Sequence, residues 1–372
     1  MEIGECPLEK INFWKDKKVF ITGHTGFKGS WLSIWLHQLG AKITAYSTAP
    51  PTVPSLYQIS NADQLLTSVI GDIRDAYLLQ RTMRDADPDI VFHLAAQPLV
   101  RESYINPVDT YAVNVLGTVN VLEAIRQNNL LGAGIKALVN VTTDKCYDNK
   151  EWLWGYRESD PLGGFDPYSN SKACSELITS CYRNSFFNPH RYQEHGVAIA
   201  SARAGNVLGG GDWASERLIP DCFKSFCNQA PLVIRSPNSI RPWQHVLEPL
   251  SGYLLLGQRL LEEGIRYADS WNFGPEEQDA KSVESVVRRF CSLWGEGAVY
   301  ETQPDNRLHE AAALRLDCSK AKLQLGWHPR WDLDTALINT AAWYKAYLNQ
   351  EDMLEICRRQ IRQFEQSTYK YK

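Results

Sequence analysis

The sequence predicts an α/β fold: a doubly wound parallel sheet with a smaller, interleaved α/β lobe. Three observations predict it. Short β-type runs alternate with helical stretches through the first half of the chain, which implies βαβ units with right-handed crossovers. A glycine-rich turn, Gly23-His24-Thr25-Gly26-Phe27-Lys28-Gly29, stands between the first run and the first helix, as in Rossmann-type domains. The 372 residues exceed the ~250–300 at which one core stops growing, so two lobes are expected.

Residues 18–22 (KVFIT) are a continuous apolar run ending at Gly23, as a strand buried on both faces requires. Trp31, Ile34, Trp35 and Leu39 then recur at helical spacing over 30–39, and Gly40 stops that helix. Residues 41–47 and 68–70 supply the second and third strands, 89–96 and 136–142 the fourth and fifth, and 197–204 a sixth. One helix over 107–126 separates the fourth from the fifth, and one over 167–183 leads to the sixth. After Asn206 the rhythm changes: Gly209-Gly210-Gly211 and Pro220, Pro231, Pro237 and Pro242 mark a loop-rich stretch. A helix at 248–263 and a strand at 270–273 follow, then short amphipathic helices ending in a polar one near 351–365. The expected division is a dinucleotide-binding domain over 1–190, with returning segments at about 245–275, and a substrate lobe over 191–372.

Composition excludes several classes. There are 39 Lys and Arg against 43 Asp and Glu, a net charge of −4, and the basic residues form no run of the kind that grips nucleic acid. No segment approaches the ~18 apolar residues of a membrane span, and the first ten residues lack the apolar stretch of a signal peptide. The nine cysteines are an odd count without a C-x-x-C pair, so reduced thiols and a cytoplasmic location are expected. Cys174 and Cys181 read as small core residues. His24, His93 and His245 have no metal-ligand spacing, and His93, on an apolar strand, reads as a core histidine.

The chemistry concentrates in three places. In the turn, Gly23, Gly26 and Gly29 let the backbone turn and approach a pyrophosphate, while the helix start presents unpaired N–H groups and a positive dipole end. The second strand ends Tyr46-Ser47-Thr48, with neither the acid expected for NAD nor an arginine for NADP, so the motif leaves the cofactor open. Asp72 and Ile73, after the third strand, are candidate adenine contacts. Tyr168 and Lys172 form Y-x-x-x-K at a helix start, which puts phenol and ammonium on one face. A tyrosine with a free pKa of ~10 becomes a useful base at neutral pH only if a nearby cation stabilises its phenolate. Thr142-Thr143-Asp144-Lys145 lies where the fifth strand ends, the edge at which α/β sheets carry ligands.

These motifs, with His93-Leu94-Ala95-Ala96, Asn114 in Asn114-Val115-Leu116-Gly117-Thr118, and Leu325-Gly326-Trp327-His328-Pro329, make the chain resemble an extended short-chain dehydrogenase/reductase. Within that superfamily it resembles the nucleotide-sugar 4,6-dehydratases over nearly its whole length. The runs Gly205 to Trp213 and Arg241 to Val246 point to the branch acting on CDP-glucose. The resemblance implies NAD as cofactor, held by Gly23, His24, Thr25, Gly26, Phe27, Lys28, Gly29, Asp72, Ile73, Leu94, Ala95, Ala96, Asn114, Thr142, Tyr168 and Lys172. It implies that Tyr168 takes the C4 hydroxyl proton with Thr143 at the C4 oxygen, and that Asp144 protonates the departing C6 hydroxyl. Relatives acting on dTDP-glucose carry Glu where this chain has Lys145, so Lys145 is the candidate for the C5 proton, with another group or a water as the alternative. Arg241 and Asn206 are the candidate diphosphate contacts, followed by Arg101 and Arg217. The resemblance implies a product class used in deoxysugar synthesis, of the kind that feeds lipopolysaccharide O-antigen. A 4-epimerase or reductase on the same fold would leave Asp144 and Lys145 without a task, and a cofactor sensor would not need Thr143, Tyr168 and Lys172. A homodimer or higher homo-oligomer is expected, with a C2 interface through the 107–126 and 167–183 helices, because Val113, Leu116, Val119, Val121 and Leu122 are too many for a single buried stripe.

Overall fold

The structure, a computed structural model, describes residues 12–303 and 313–368. The first ten residues, on which the signal-peptide reading rests, and Cys6 lie outside that range.

Seven parallel strands form the central sheet: β1 (Lys18–Thr22), β2 (Lys42–Ser47), β3 (Thr67–Ile70), β4 (Ile90–His93), β5 (Ala137–Val141), β6 (Ala198–Ala204) and β7 (Ser270–Phe273), in the order β7-β6-β5-β4-β1-β2-β3. The winding reverses between β1 and β4, whose registers pair Val19 with Ile90 and Thr22 with His93. That reversal opens a crevice outside the strand ends, where a doubly wound sheet binds its ligand. The inner strands β4, β5 and β6 are buried along their whole length because helices cover both faces.

Helix α1 (Phe27–Gln38) is buried from Gly29 through Leu36, since it is enclosed on two sides. Trp31 Nε1 donates to Gly210 O at 2.9 Å, and Trp35 Nε1 donates to Glu365 Oε1 at 2.8 Å, so segments more than 170 residues away close over it. Each indole removes ~150–250 Å² from water, worth at most about 4–6 kcal/mol at ~25 cal/mol per Å². The first and last parts of the chain therefore share this core. On the other face lie α2 (Ala76–Ala86), α3 (Gly117–Leu130) and α4 (Pro167–Ser185). The later part adds α5 (Leu218–Cys227), α6 (Leu247–Glu263), α7 (Val283–Trp294), α8 (Leu333–Leu348) and α9 (Met353–Gln366), with short strand pairs at the cavity's far wall.

The sequence expectations differ from this in five places. α1 starts at Phe27 rather than residue 30, because Gly29 packs inside its first turn: a Cβ there would stand 2.1 Å from Gly23 O. The fourth strand ends at His93, and Leu94-Ala95-Ala96 leave the sheet to follow the crevice. The helix expected over 107–126 is Pro107–Tyr111, a π turn at Ala112–Leu116, and α3. The last hundred residues hold longer helices than expected, α7 having 12 residues and α8 16, while the polar helix expected near 351–365 is α9. Cys181 is exposed and Cys174 half-buried rather than in the core, because α4 turns its small polar side, Ser171, Ser175 and Thr179, to the sheet. His93 is buried as expected, its Nδ1 2.7 Å from Thr22 Oγ1, and burial pulls it down to about 3.

Candidate active site

The crevice deepens into a cavity of about 1540 Å³, larger than the ~300–1,000 Å³ of a site for one small ligand. At one end is the glycine turn. Gly23 has φ +82°, and a Cβ there would stand 2.7 Å from Ala95 N, so the backbone after β1 and the backbone after β4 meet only because this residue is glycine. The α1 N-terminus opens here with no acidic residue in its first turn. Gly23, Thr25, Gly26, Phe27, Lys28 and Gly29 line the wall, as do Leu94, Ala95, Ala96, Asp72 and Ile73. A backbone cradle, a helix start and a lysine suit a dinucleotide pyrophosphate.

Two of the residues named for the cofactor do not reach the cavity through their side chains. His24 is buried behind the turn, its Nε2 2.7 Å from Ser68 Oγ and its ring edge-on to Tyr57, and burial holds it neutral at about 4. Asn114 sits in the π turn. Its Oδ1 accepts from Gln97 N at 2.8 Å, and its Nδ2 donates to Gln97 O and to Ser171 Oγ, which clamps the segment after β4 to α4. A sequence motif records such a residue without saying whether it touches ligand or holds the loop that does.

After β2, Ser47 Oγ lies 2.8 Å from Thr25 Oγ1, which also donates to Thr48 O. Asp72 is engaged by Arg74 through Nε, Nη2 and the backbone N–H, and this pairing holds its carboxyl below the usual range. Arg74, which the sequence reading missed, also pairs with Asp109 and lines the cavity.

Midway, the ends of β5 and α4 bring the chemistry together. Asp166 caps α4, accepting from Ser169 N at 2.9 Å, and Pro167 opens its first turn, which fixes Tyr168 at the cavity. Tyr168 is buried and hydrogen-bonded to Thr143. Burial pushes its phenol up to about 12, against the opposing Thr143 contact, rather than down as the sequence reading expects. Lys172 Nζ donates to Val141 O at 3.2 Å, and burial lowers it to about 8. Thr143 Oγ1 donates to Asp144 Oδ1 at 3.1 Å, while Asp144 Oδ2 is buried with no partner among the described residues. Burial raises the Asp144 carboxyl, with Lys145 the largest opposing charge. Gly205 is required beside it, since a Cβ there would stand 2.7 Å from that oxygen. Thr142 lines the wall, but its hydroxyl points away, to Glu176.

The far wall carries Asn206, Arg101, Arg217 and Arg241. Arg217, at the N-cap of α5, pairs with Asp212 at 2.9 Å, and Arg101 pairs with Glu216 at 3.1 Å. Arg241 Nη1 donates to Ile240 O, and its charge is felt at Asp144. Arg235, 3.9 Å from Glu216, joins this wall and was not singled out by sequence, because an isolated arginine in a loop-rich stretch carries no spacing signal. Among the described residues no group of three His, Cys, Asp or Glu is placed to hold a metal ion, and no helix is long and apolar enough to cross a membrane.

Residues 20–340 match the model of the GDP-mannose 4,6-dehydratase family. The chain belongs to that family. Membership makes it an enzyme of the dehydratase class. One relative in this class, from Salmonella typhimurium, is named CDP-glucose 4,6-dehydratase. It is 56% identical, over 96% of this chain and 98% of its own. A dTDP-glucose 4,6-dehydratase of Streptomyces antibioticus is 28% identical over 88% of this chain and 92% of its own. Among solved structures, a dTDP-glucose 4,6-dehydratase from Bacillus anthracis in complex with NAD superposes with a TM-score of 0.74 at 23% identity, covering 91% of this chain and 99% of its own. An epimerase from Methanothermobacter thermautotrophicus superposes at 0.76 with 23% identity, covering 95% and 97%. At that identity the structures speak for the fold, so the reaction has to be argued from the site.

Proposed function

We propose that this dehydratase converts CDP-glucose to CDP-4-keto-6-deoxyglucose with NAD as its cofactor. The observation that carries the reading is the buried oxygen of Asp144, without a partner among the described residues, beside Thr143 and Tyr168. An elimination needs a carboxyl that still holds its proton next to the base, whereas a 4-epimerase has no use for one. The choice of CDP-glucose is supported by the Salmonella relative.

NAD would be held by the Gly23–Gly29 cradle, Leu94-Ala95-Ala96 and the Asp72-Ile73 edge, and when bound it would supply the reversible oxidation, from C4 and back to C6. The chain's own residues do the rest. Tyr168 takes the C4 hydroxyl proton, and Lys172 provides the positive charge that the raised phenol requires. Thr143 holds the C4 oxygen. Once C4 is a ketone the C5 hydrogen is acidic; Lys145 takes it, Asp144 gives its proton to the leaving C6 hydroxyl so that water departs, and Lys145 returns a proton to C5 when C6 has been reduced. Arg241 and Asn206, with Arg101 and Arg217, bind the diphosphate. The segment after residue 190, apart from β6 and the returning α6 and β7, which belong to the central sheet and its cover, forms mainly the sugar-nucleotide side.

Incubation with CDP-glucose and NAD, followed by the base-induced absorbance of 4-keto sugars, tests the reading. An isomeric sugar in place of the keto product would make the chain an epimerase, and binding without turnover would make it a sensor. Parallel runs with dTDP-, UDP- and GDP-sugars test the nucleotide.

A further inference from the structure

Behind the catalytic wall, out of solvent, the Glu176 carboxylate collects four donors. Thr142 Oγ1 reaches its Oε1 at 2.5 Å; Ser201 Oγ, Arg203 Nη2 and Ser270 Oγ reach its Oε2 at 2.6, 2.8 and 3.3 Å. The Glu176 and Arg203 side chains are 1% and 3% exposed. Arg203 is held further by Tyr147 Oη and Glu158 O. The donors stand at the end of β5, along β6 and at the start of β7, so one carboxylate ties three strands to α4. Stability alone is a poor reason for such a pair, because well-packed apolar residues commonly do as well.

Its position suggests a task. Lys172 lies four residues earlier on α4, one turn away on the same face. Its Nζ bonds Val141 O, the carbonyl next to Thr142, so both ends of the Lys172–Glu176 unit grip the same strand end. The titratable groups facing Lys172 are Tyr168 and Glu176 on its own helix, Cys146 after β5, His93 on β4 and Lys28 on α1. Burial pushes the Cys146 thiol well above its ordinary value and keeps His93 and Tyr168 neutral, while Lys28 repels. Of these groups Glu176 alone is an anion at neutral pH, since Arg203 and its hydroxyl donors hold its carboxyl below the ordinary range despite burial.

We propose that Glu176 is a positioning residue for Lys172: its carboxylate is the counter-charge that keeps the buried ammonium charged and directed at the end of β5, where it supports Tyr168. The inference deepens the reading of Tyr168 and Lys172 given above and rests on it.

The test follows the Lys172 proton directly, by ¹³Cε NMR of lysine-labelled protein without ligand, the resonance being assigned by its loss in Lys172→Met. The pH profile of kcat on CDP-glucose is measured alongside. Glu176→Gln keeps the shape and removes the charge. It should lower the Lys172 midpoint by a pH unit or more, a tenfold loss of proton affinity, and move the alkaline fall in kcat the same way. Arg203→Lys alters the same network but keeps a cation beside Glu176, so the carboxylate stays charged, and it should not move either quantity downward. If Glu176→Gln does not fold, because Arg203 is left buried and unpaired, the Glu176→Gln/Arg203→Gln double variant leaves no charge unpaired and should show the same downward shift. An unmoved midpoint, or equal losses in the two single variants at every pH, would reduce Glu176 to scaffolding and overturn the proposal. A wild type that makes no keto sugar overturns the reading of the reaction instead, and the NMR midpoint then still decides the role of Glu176.

Discussion

Replacing Asp144 by asparagine should separate water loss from oxidation. The carboxyl is buried, accepts from Thr143 at 3.1 Å through Oδ1, and has Oδ2 against Gly205. An amide has the same shape and can still accept from Thr143, so neither the fold nor the Tyr168–Thr143 contact is disturbed. What disappears is the acid, because an amide is far too weak to protonate a departing hydroxyl. General acid help is worth ~10²–10⁴-fold, or about 3–5 kcal/mol on the elimination barrier at ~1.36 kcal/mol per tenfold. Oxidation at C4 does not use this group and should proceed at close to the normal rate. Rapid mixing of Asp144→Asn with excess CDP-glucose should therefore build up the near-ultraviolet absorbance of reduced cofactor, while keto product forms ~10²–10⁴ times more slowly. Tyr168→Phe is the control: without a base for the C4 hydroxyl no such absorbance should appear. If both variants block reduction of the cofactor equally, Asp144 acts in the first step and its assignment to the second is wrong.

Four further outcomes are expected. Gly23→Ala should cost ~1–2 kcal/mol from its φ of +82° alone, and its Cβ, 2.7 Å from Ala95 N, closes the cradle; the folded variant should melt lower and lose the thermal stabilisation that NAD confers on the wild type. With Ser47 bonded to Thr25 where a ribose acid is expected, NAD should bind weakly yet still ahead of NADP, and calorimetry giving NADP a tenfold advantage would contradict this. Lys145→Met should suppress exchange of the C5 hydrogen with solvent, and persistent exchange would transfer that proton to another group or a water. Leu116 and Leu177, each 58% exposed on the helices expected to pair, should be covered in a C2 dimer; light scattering should give a dimer at micromolar concentration that Leu116→Asp with Leu177→Asp disperses.

Much of this protein is legible in its sequence because the relevant forces are local. A run such as Val19 to Thr22 can be stable only as a strand covered on both faces, and three glycines between strand and helix mark the phosphate cradle whatever lies elsewhere in the chain. The i, i+4 spacing of Tyr168 and Lys172 follows from the helical repeat. Other features depend on groups brought together from remote parts of the chain. His24 and Asn114 sit inside cofactor motifs, but packing turns the first toward Ser68 and the second toward Gln97 and Ser171. The arginines of the far wall come from separate elements, Arg101 from a short helix, Arg217 from a helix N-cap and Arg241 from a short strand, so no spacing announces them. The state of the candidate catalytic groups is likewise a property of the enclosed cavity. Removal of water raises Tyr168 and Asp144 and lowers Lys172, and how much water is removed depends on which segments close over the site. Glu176 is the plainest case. In sequence it is one acid on a polar helix; in the fold, β5, β6 and β7 converge on it, and a buried charge takes its meaning from the partners that only the tertiary structure supplies.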